Sequence, residues 1–379
     1  MPGEKVEKNS TLSTIHRGFN KMKKADGFPR PLFAEMHITN KCNINCYFCN
    51  QAELRRSNPA ELSYDKIVNT LTELKEMGLV SVMFSGGGEP TLHRSFFDII
   101  KFLNANDIIL QQVITSGLIA DKDVLDAMFS ARWRNITFSL HASNGKDWRS
   151  MTSGPSRGFE MILNNIRYII AERTKRGSST PRVMLKFGVD INTWKKLTDA
   201  YRLACELRVD DVAITTYNHI TYPDNLQTEI ETILKQLKDI YAENEATGGV
   251  RTIGYYLADL GVLIGEDVGV NVDNGIPICF MPWYGFMIAA SGDVRPCASG
   301  MEKLPSMGNI NEESIRAIWN GRKYQMLRDM FEQAYFEKSG GICKKICAKL
   351  PDFCNPLSTN VACCPHMARW NEFYYRLIC

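Results

Sequence analysis

Between about residues 32 and 245, short apolar runs alternate with longer stretches in which apolar side chains recur every three or four positions. The short runs predict strands over 32–39, 80–85, 109–115, 136–141, 182–189 and 211–217. The longer stretches predict helices over 67–77, 96–103, 124–129, 159–171, 194–207 and 226–241. The first helix carries Ile67, Val68, Leu71, Leu74 and Met77 on one stripe, and Gly78 is placed as its C-terminal cap. Strand and helix thus alternate about six times, which implies a parallel sheet covered by helices. Six units favour a partial, open (βα)6 barrel of α/β class, with a doubly wound sheet as the alternative. Residues 248–277 are glycine-rich without a clear period and read as a connection. Beyond them, apolar runs on either side of Ser291-Gly292 predict a hairpin, followed by helices over 313–319 and 323–331. The expected division is an N-terminal arm over 1–30, a barrel over 31–246, a connection over 247–276 and a small cysteine-rich α+β domain over 277–379.

Composition narrows the class. The chain has 379 residues, 44% hydrophobic and 23% charged, with a formal charge of +3. These are globular values, and so small a charge gives no electrostatic case for nucleic acid or a membrane surface. No apolar run approaches the roughly 20 residues of a membrane helix, and the Lys-rich start lacks the apolar core of a signal peptide. The expected location is the cytoplasm, where thiols stay reduced and serve as metal ligands more often than as disulfides. There are 12 cysteines, and all but one cluster towards the two ends of the chain. Three lie in Cys42–Cys49, Cys205 is isolated, and the others are Cys279, Cys297, Cys343, Cys347, Cys354, Cys363, Cys364 and Cys379.

Cys42, Cys46 and Cys49 form a C-x3-C-x2-C run just after the first strand. Three thiolates this close can wrap one iron–sulfur cubane and leave one iron open for chemistry. A structural zinc site is the other reading; it needs a fourth ligand, for which His37 is the nearest histidine. At the end of the second strand stands Ser85-Gly86-Gly87-Gly88-Glu89-Pro90. Its glycines let backbone approach a ligand, their N–H groups can line a polar cradle, and Glu89 offers a carboxylate to an ammonium group.

Together these two motifs resemble the radical S-adenosylmethionine (SAM) superfamily over roughly residues 32–241. The resemblance implies that Cys42, Cys46 and Cys49 hold a [4Fe–4S] cluster whose open iron is chelated by the methionine end of SAM. Gly87, Gly88 and Glu89 would grip its amino group, with Phe48 near the adenine. Ser116, Ser139 and Lys186, at or near the ends of later strands, would make further cofactor contacts; each can also be a strand-end residue satisfying backbone. The implied activity is reductive cleavage of SAM to a 5′-deoxyadenosyl radical, which takes hydrogen from an unactivated C–H bond. A flavodoxin or ferredoxin would supply the electron.

The pair Cys279 and Cys297 around the hairpin, with Gly308-Asn309-Ile310 and Ile318-Trp319 beyond, resembles the SPASM/twitch extension and implies one or two auxiliary [4Fe–4S] clusters. Eight C-terminal cysteines match two four-ligand clusters in number. Their spacing, C-x3-C followed by x6 and the Cys363-Cys364 pair, departs from the C-x2-C-x5-C-x3-C usual there; zinc is the alternative. Members with this extension modify peptides and proteins, or oxidise or epimerise sugars and other small molecules. Only some 30 residues precede the first strand, which weakens the case for a separate leader-peptide domain. Cys205 is a candidate hydrogen-atom donor, or else a buried small hydrophobe. His93, His141 and His219 follow strand ends and either face the cavity or satisfy backbone; Tyr217 and Asn218 are candidate substrate contacts. A non-catalytic iron–sulfur or zinc carrier is the remaining alternative.

Overall fold

The computed structural model describes residues 29–130, 132–189, 193–216, 235, 250–253, 256–257, 262–263, 281–297 and 306–336. Its first half repeats strand and helix as the periodicity predicts. Strand β1 (Phe33–Met36) is followed by α1 (Ala52–Ser57) and α2 (Tyr64–Met77). The chain continues through β2 (Ser81–Phe84), α3 (Phe96–Ala105), β3 (Ile109–Thr115), α4 (Lys122–Ala127) and β4 (Trp133–Ser139). Then come α5 (Gly145–Thr152), α6 (Gly158–Lys175), β5 (Arg182–Val189), α7 (Leu197–Leu207) and β6 (Asp211–Thr216). Local chemistry sets the ends. The Ser63 hydroxyl accepts from the Lys66 N–H to open α2, and Gly78 closes it in the left-handed region at φ 109°, where only glycine is unstrained.

Strands β1 to β6 pair in parallel and in chain order. A doubly wound sheet would reverse its strand order midway; this one does not, and the fold is a partial barrel. Apolar residues on alternate strand positions, such as Ala34, Met36, Val82, Phe84, Val113, Ile136, Phe138 and Leu185, pack under the helices as the main core. The opposite face carries a smaller cluster of Phe33 and Met83 with Ile114 beside it, and polar residues towards the strand ends.

Two features escaped the periodicity. Strand β7 (Arg251–Ile253) lies in the stretch read as a connection and pairs in parallel with β6; three residues are too few to show a pattern. It is followed by a short antiparallel pair, β8 (Tyr256–Leu257) and β9 (Val262–Leu263). The hairpin is also more than an appendage. After α8 (Met281–Tyr284), β10 (Gly285–Ile288) pairs in parallel with β1, Phe33 opposite Gly285 and Met36 opposite Ile288. Strands β11 (Asp293–Arg295) and β12 (Gly308–Asn309) extend the same sheet antiparallel. The sheet therefore runs β12-β11-β10-β1-β2-β3-β4-β5-β6-β7.

Helices α9 (Ile315–Asn320) and α10 (Arg322–Phe336) then fold back onto the barrel. Glu73 of α2 accepts from the N–H groups of Ile315 and Arg316, and Lys66 Nζ donates to the Ile310 carbonyl at 2.9 Å. Trp319 Nε1 donates to the Pro29 carbonyl at 2.8 Å. Arg328 stacks on Trp319 and Tyr324 and donates to the Pro282 and Trp319 carbonyls.

Candidate active site

The three-cysteine loop is bound on several sides. Asn45 and Tyr47 donate their N–H groups to the carbonyls of Thr152 and Met151 at the end of α5. Asn43 accepts from the Ser116 hydroxyl (3.0 Å) and donates to the Leu118 carbonyl (3.4 Å). Asn40, just before the loop, donates to the carbonyls of Ala60 and Asn58. A loop so fixed holds its thiols in place before any ligand arrives.

The glycine turn docks directly on this loop. A Cβ on Gly88 would lie 2.0 Å from the Lys41 carbonyl oxygen, and one on Gly87 would lie 2.2 Å from Asn40 Oδ1. Gly88 N–H donates to the Thr39 carbonyl (2.9 Å), Glu89 N–H to the Lys41 carbonyl (2.7 Å) and Gly87 N–H to His37 Nδ1 (3.2 Å). This corrects the expected cradle of N–H donors, because those donors are committed to His37 and to the backbone that leads into the loop. Among the described residues the carbonyls of Gly87 and Gly88 accept no hydrogen bond, and acceptors are what an ammonium group requires.

Glu89 is 2% exposed. Its Oε1 accepts from the hydroxyls of Thr91 and Thr115, both at 2.7 Å, and from the Thr91 N–H. Its Oε2 accepts from the Ser116 N–H at 2.6 Å. The carboxylate thus ties the end of β2 to the end of β3, and Ser116 in turn holds Asn43. Glu89, Ser116 and the cysteine loop form one connected unit.

Phe48 is buried, with its ring edge-on to His141 at 4.7 Å. His141 has φ 61° and its Nδ1 accepts from the Gly188 N–H at 3.0 Å. Burial, with the Lys186 charge second, pushes its pKa down to about 3, so this imidazole stays neutral. Ser139 pairs with Lys186 across β4 and β5. Burial lowers the Lys186 ammonium below its ordinary value, against the pull of the Glu35 carboxylate.

Glu35 belongs to a buried network that sequence reasoning missed. Its Oε1 accepts from the Ser85 hydroxyl and from His37 Nε2 (the latter 3.2 Å). With Nδ1 accepting from Gly87, the proton is assigned to Nε2. Both ring nitrogens of His37 are therefore engaged, which removes it as a fourth zinc ligand. His93 is also structural, bonded to the Leu62 carbonyl and the Ser95 N–H. Cys205 packs against the main core from α7, on the outer layer and apart from the loop. Cys297 packs beside Phe33, Met83, Met281 and Tyr284. Cys279, Cys343, Cys347, Cys354, Cys363, Cys364 and Cys379, with His219, Tyr217 and Asn218, lie outside the described residues.

The thiols fit a cluster. Burial raises the Cys46 pKa to about 12 and raises Cys42 as well, and neighbouring thiolates add to both shifts. Desolvated thiols give up their protons readily only to a metal. Among the described residues no three His, Cys, Asp or Glu side chains converge as on a single ion.

Barrel, glycine turn and three-thiol loop together define a protein built to hold SAM over an iron–sulfur cluster. Two family matches say the same: residues 36–199 match the radical SAM superfamily, and residues 279–348 match the iron–sulfur cluster-binding domain called SPASM. The chain belongs to the radical SAM superfamily and carries a SPASM extension. It is 25% identical over 305 residues to the PqqA peptide cyclase of Rhodopseudomonas palustris, covering 78% of this chain and 75% of that one. It is 24% identical over 350 residues to the AdoMet-dependent heme synthase of Methanosarcina barkeri, covering 84% and 90%. In fold it is similar to Streptococcus suis SuiB bound to SAM, with a TM-score of 0.63 at 15% identity, covering 92% and 82%. The protein is an enzyme that uses SAM, a [4Fe–4S] cluster with three cysteine ligands and one or two auxiliary clusters. No helix among the described residues is long and apolar enough to cross a membrane.

Proposed function

We propose that this enzyme oxidises a peptide at an unactivated C–H bond, with Cys42, Cys46 and Cys49 as ligands of the cluster that binds SAM. The observation that carries the site is the union of loop and turn: three thiols on a loop locked to Glu89, Ser116 and Gly88 by hydrogen bonds. When bound, cluster and SAM supply a 5′-deoxyadenosyl radical that takes the hydrogen atom. The residues do the rest. Gly87 and Gly88 offer carbonyl acceptors to the methionine ammonium, and Glu89 adds negative charge beside them. Phe48 and His141 give the adenine an apolar wall. Ser116, Ser139 and Lys186 complete the polar contacts, Lys186 as the cation for the methionine carboxylate.

The peptide substrate rests on the likeness to the PqqA peptide cyclase across three quarters of that protein. A second reading, a tetrapyrrole or other small molecule, is favoured by the heme synthase relative, which the match covers to 90%. In the C-terminal domain over 277–379, Cys279 and Cys297 with later thiols would hold the auxiliary clusters and accept the substrate electron. The barrel would occupy 31–246 and the reductant would be a flavodoxin or ferredoxin in the cytoplasm.

The test is 5′-deoxyadenosine formation by anaerobically reconstituted protein, beside Cys42→Ala/Cys46→Ala/Cys49→Ala. Product from the wild type alone is expected, with deuterium moving from a labelled peptide into it. A fully loaded protein that neither cleaves SAM nor changes its cluster spectrum with SAM would overturn the assignment.

A further inference from the structure

Helix α1 begins three residues after Cys49 and is only six residues long, yet it is firmly placed. Ala52 donates its N–H to the Cys49 carbonyl (3.1 Å) and Arg55 to the Gln51 carbonyl (2.9 Å). Leu54 packs against Met287 and Ala289 of the β10 segment. The next residue, half-buried Arg55, is thereby aimed back at the loop, and its Nη1 donates to Cys49 Sγ at 3.1 Å. Its neighbour Arg56 is exposed.

We propose that Arg55 tunes the cluster to a higher reduction potential through the hydrogen bond of its charged guanidinium to the Cys49 sulfur. The inference rests on Cys42, Cys46 and Cys49 being the cluster ligands. Reduction adds one electron from an external one-electron donor, with no bond made or broken. The added negative charge is stabilised by a cation already in place, and hydrogen bonds to sulfur raise iron–sulfur potentials in general. Arginine suits the task because its planar guanidinium carries several N–H donors in a fixed geometry. Arg55 is a tuning residue and does not itself touch the reacting carbon.

The experiment is a redox titration of the holoenzyme without SAM, followed by the electron paramagnetic resonance signal that SAM perturbs when added afterwards. It compares wild type with Arg55→Leu, Arg55→Gln and Arg55→Lys at matched iron content. Arg55→Leu should make reduction at least about tenfold less favourable, a fall of about 59 mV in midpoint. Arg55→Gln, which keeps a donor and loses the charge, should fall between, and Arg55→Lys should keep most of the wild-type potential. An unchanged midpoint in Arg55→Leu overturns the proposal. Where Arg55→Leu does not load its cluster, an unchanged midpoint in Arg55→Gln overturns it equally. A SAM-responsive cluster that survives in Cys42→Ala/Cys46→Ala/Cys49→Ala would overturn the ligand assignment and this inference together, an outcome distinct from the failure of Arg55 alone.

Discussion

His141 combines three constraints at one residue: a left-handed backbone, a buried ring and an acceptor role towards Gly188. Its folded pKa, about 3, lies below the ordinary 6.5. A depressed value means stability is whole above about pH 6.5 and is progressively lost as pH falls towards 3. His141→Asn should remove this loss, since asparagine tolerates the left-handed region and its Oδ1 can accept from Gly188. Stability near neutral pH should stay within about 1 kcal/mol, while urea midpoints fall less steeply on acidification. His141→Ala, which orphans the Gly188 N–H, should cost about 1–3 kcal/mol near neutral pH, and that cost should shrink on acidification because the variant also lacks the imidazole. Such roles are invisible in sequence. A histidine after a strand end reads the same whether it binds a ligand or, like His93, holds a carbonyl. Arg55 was missed for a related reason: in Ala52–Ser57 an arginine six residues past a cysteine reads as solvated helix surface. The cysteines were legible because their chemistry depends on spacing, which sequence records directly.

At the scale of elements, the glycine turn and the cysteine loop behave as one piece. The Gly-Gly-Glu-Pro signal identified the turn, but its hydrogen-bond direction was not readable, since a sequence does not say which backbone groups are already taken. Gly88→Ala makes the dependence testable. The new Cβ would collide with backbone at Lys41 and Asn40, so turn and loop must part. SAM affinity should fall at least about tenfold, or about 1.4 kcal/mol, read from the cluster spectrum at rising SAM, while far-ultraviolet circular dichroism stays close to wild type. The strands and long helices of the barrel were legible because their periods persist. Strand β3 and β5 match their expected limits residue for residue. Helices α1 and α5 and strand β7 were not legible, being too short or too polar for a period to show.

Over the whole molecule, the C-terminal segment and the barrel share one core. Trp319 is fully buried, packed against Phe286 and Tyr324, and bonded to the Pro29 carbonyl. Trp319→Ala should cost about 3–5 kcal/mol. The described parts should still unfold in a single transition, with intrinsic fluorescence and circular dichroism midpoints coinciding. Separate midpoints would show two independent units. The sequence suggested separate domains because cysteine content changes abruptly near residue 277. Strand pairing between distant segments leaves no such mark in composition.

The parallel ladder between β1 and β10 has a consequence for anyone recombining these enzymes. Along these two strands the seam between the halves is a set of backbone hydrogen bonds, and backbone is indifferent to side-chain identity. A C-terminal cassette grafted from a relative would find its partner strand whenever its first strand has the right length and register. Besides the buried packing of Trp319, what such a chimera must transplant with care is the contact of Leu54 with Met287 and Ala289, where the incoming cassette meets the helix that carries Arg55.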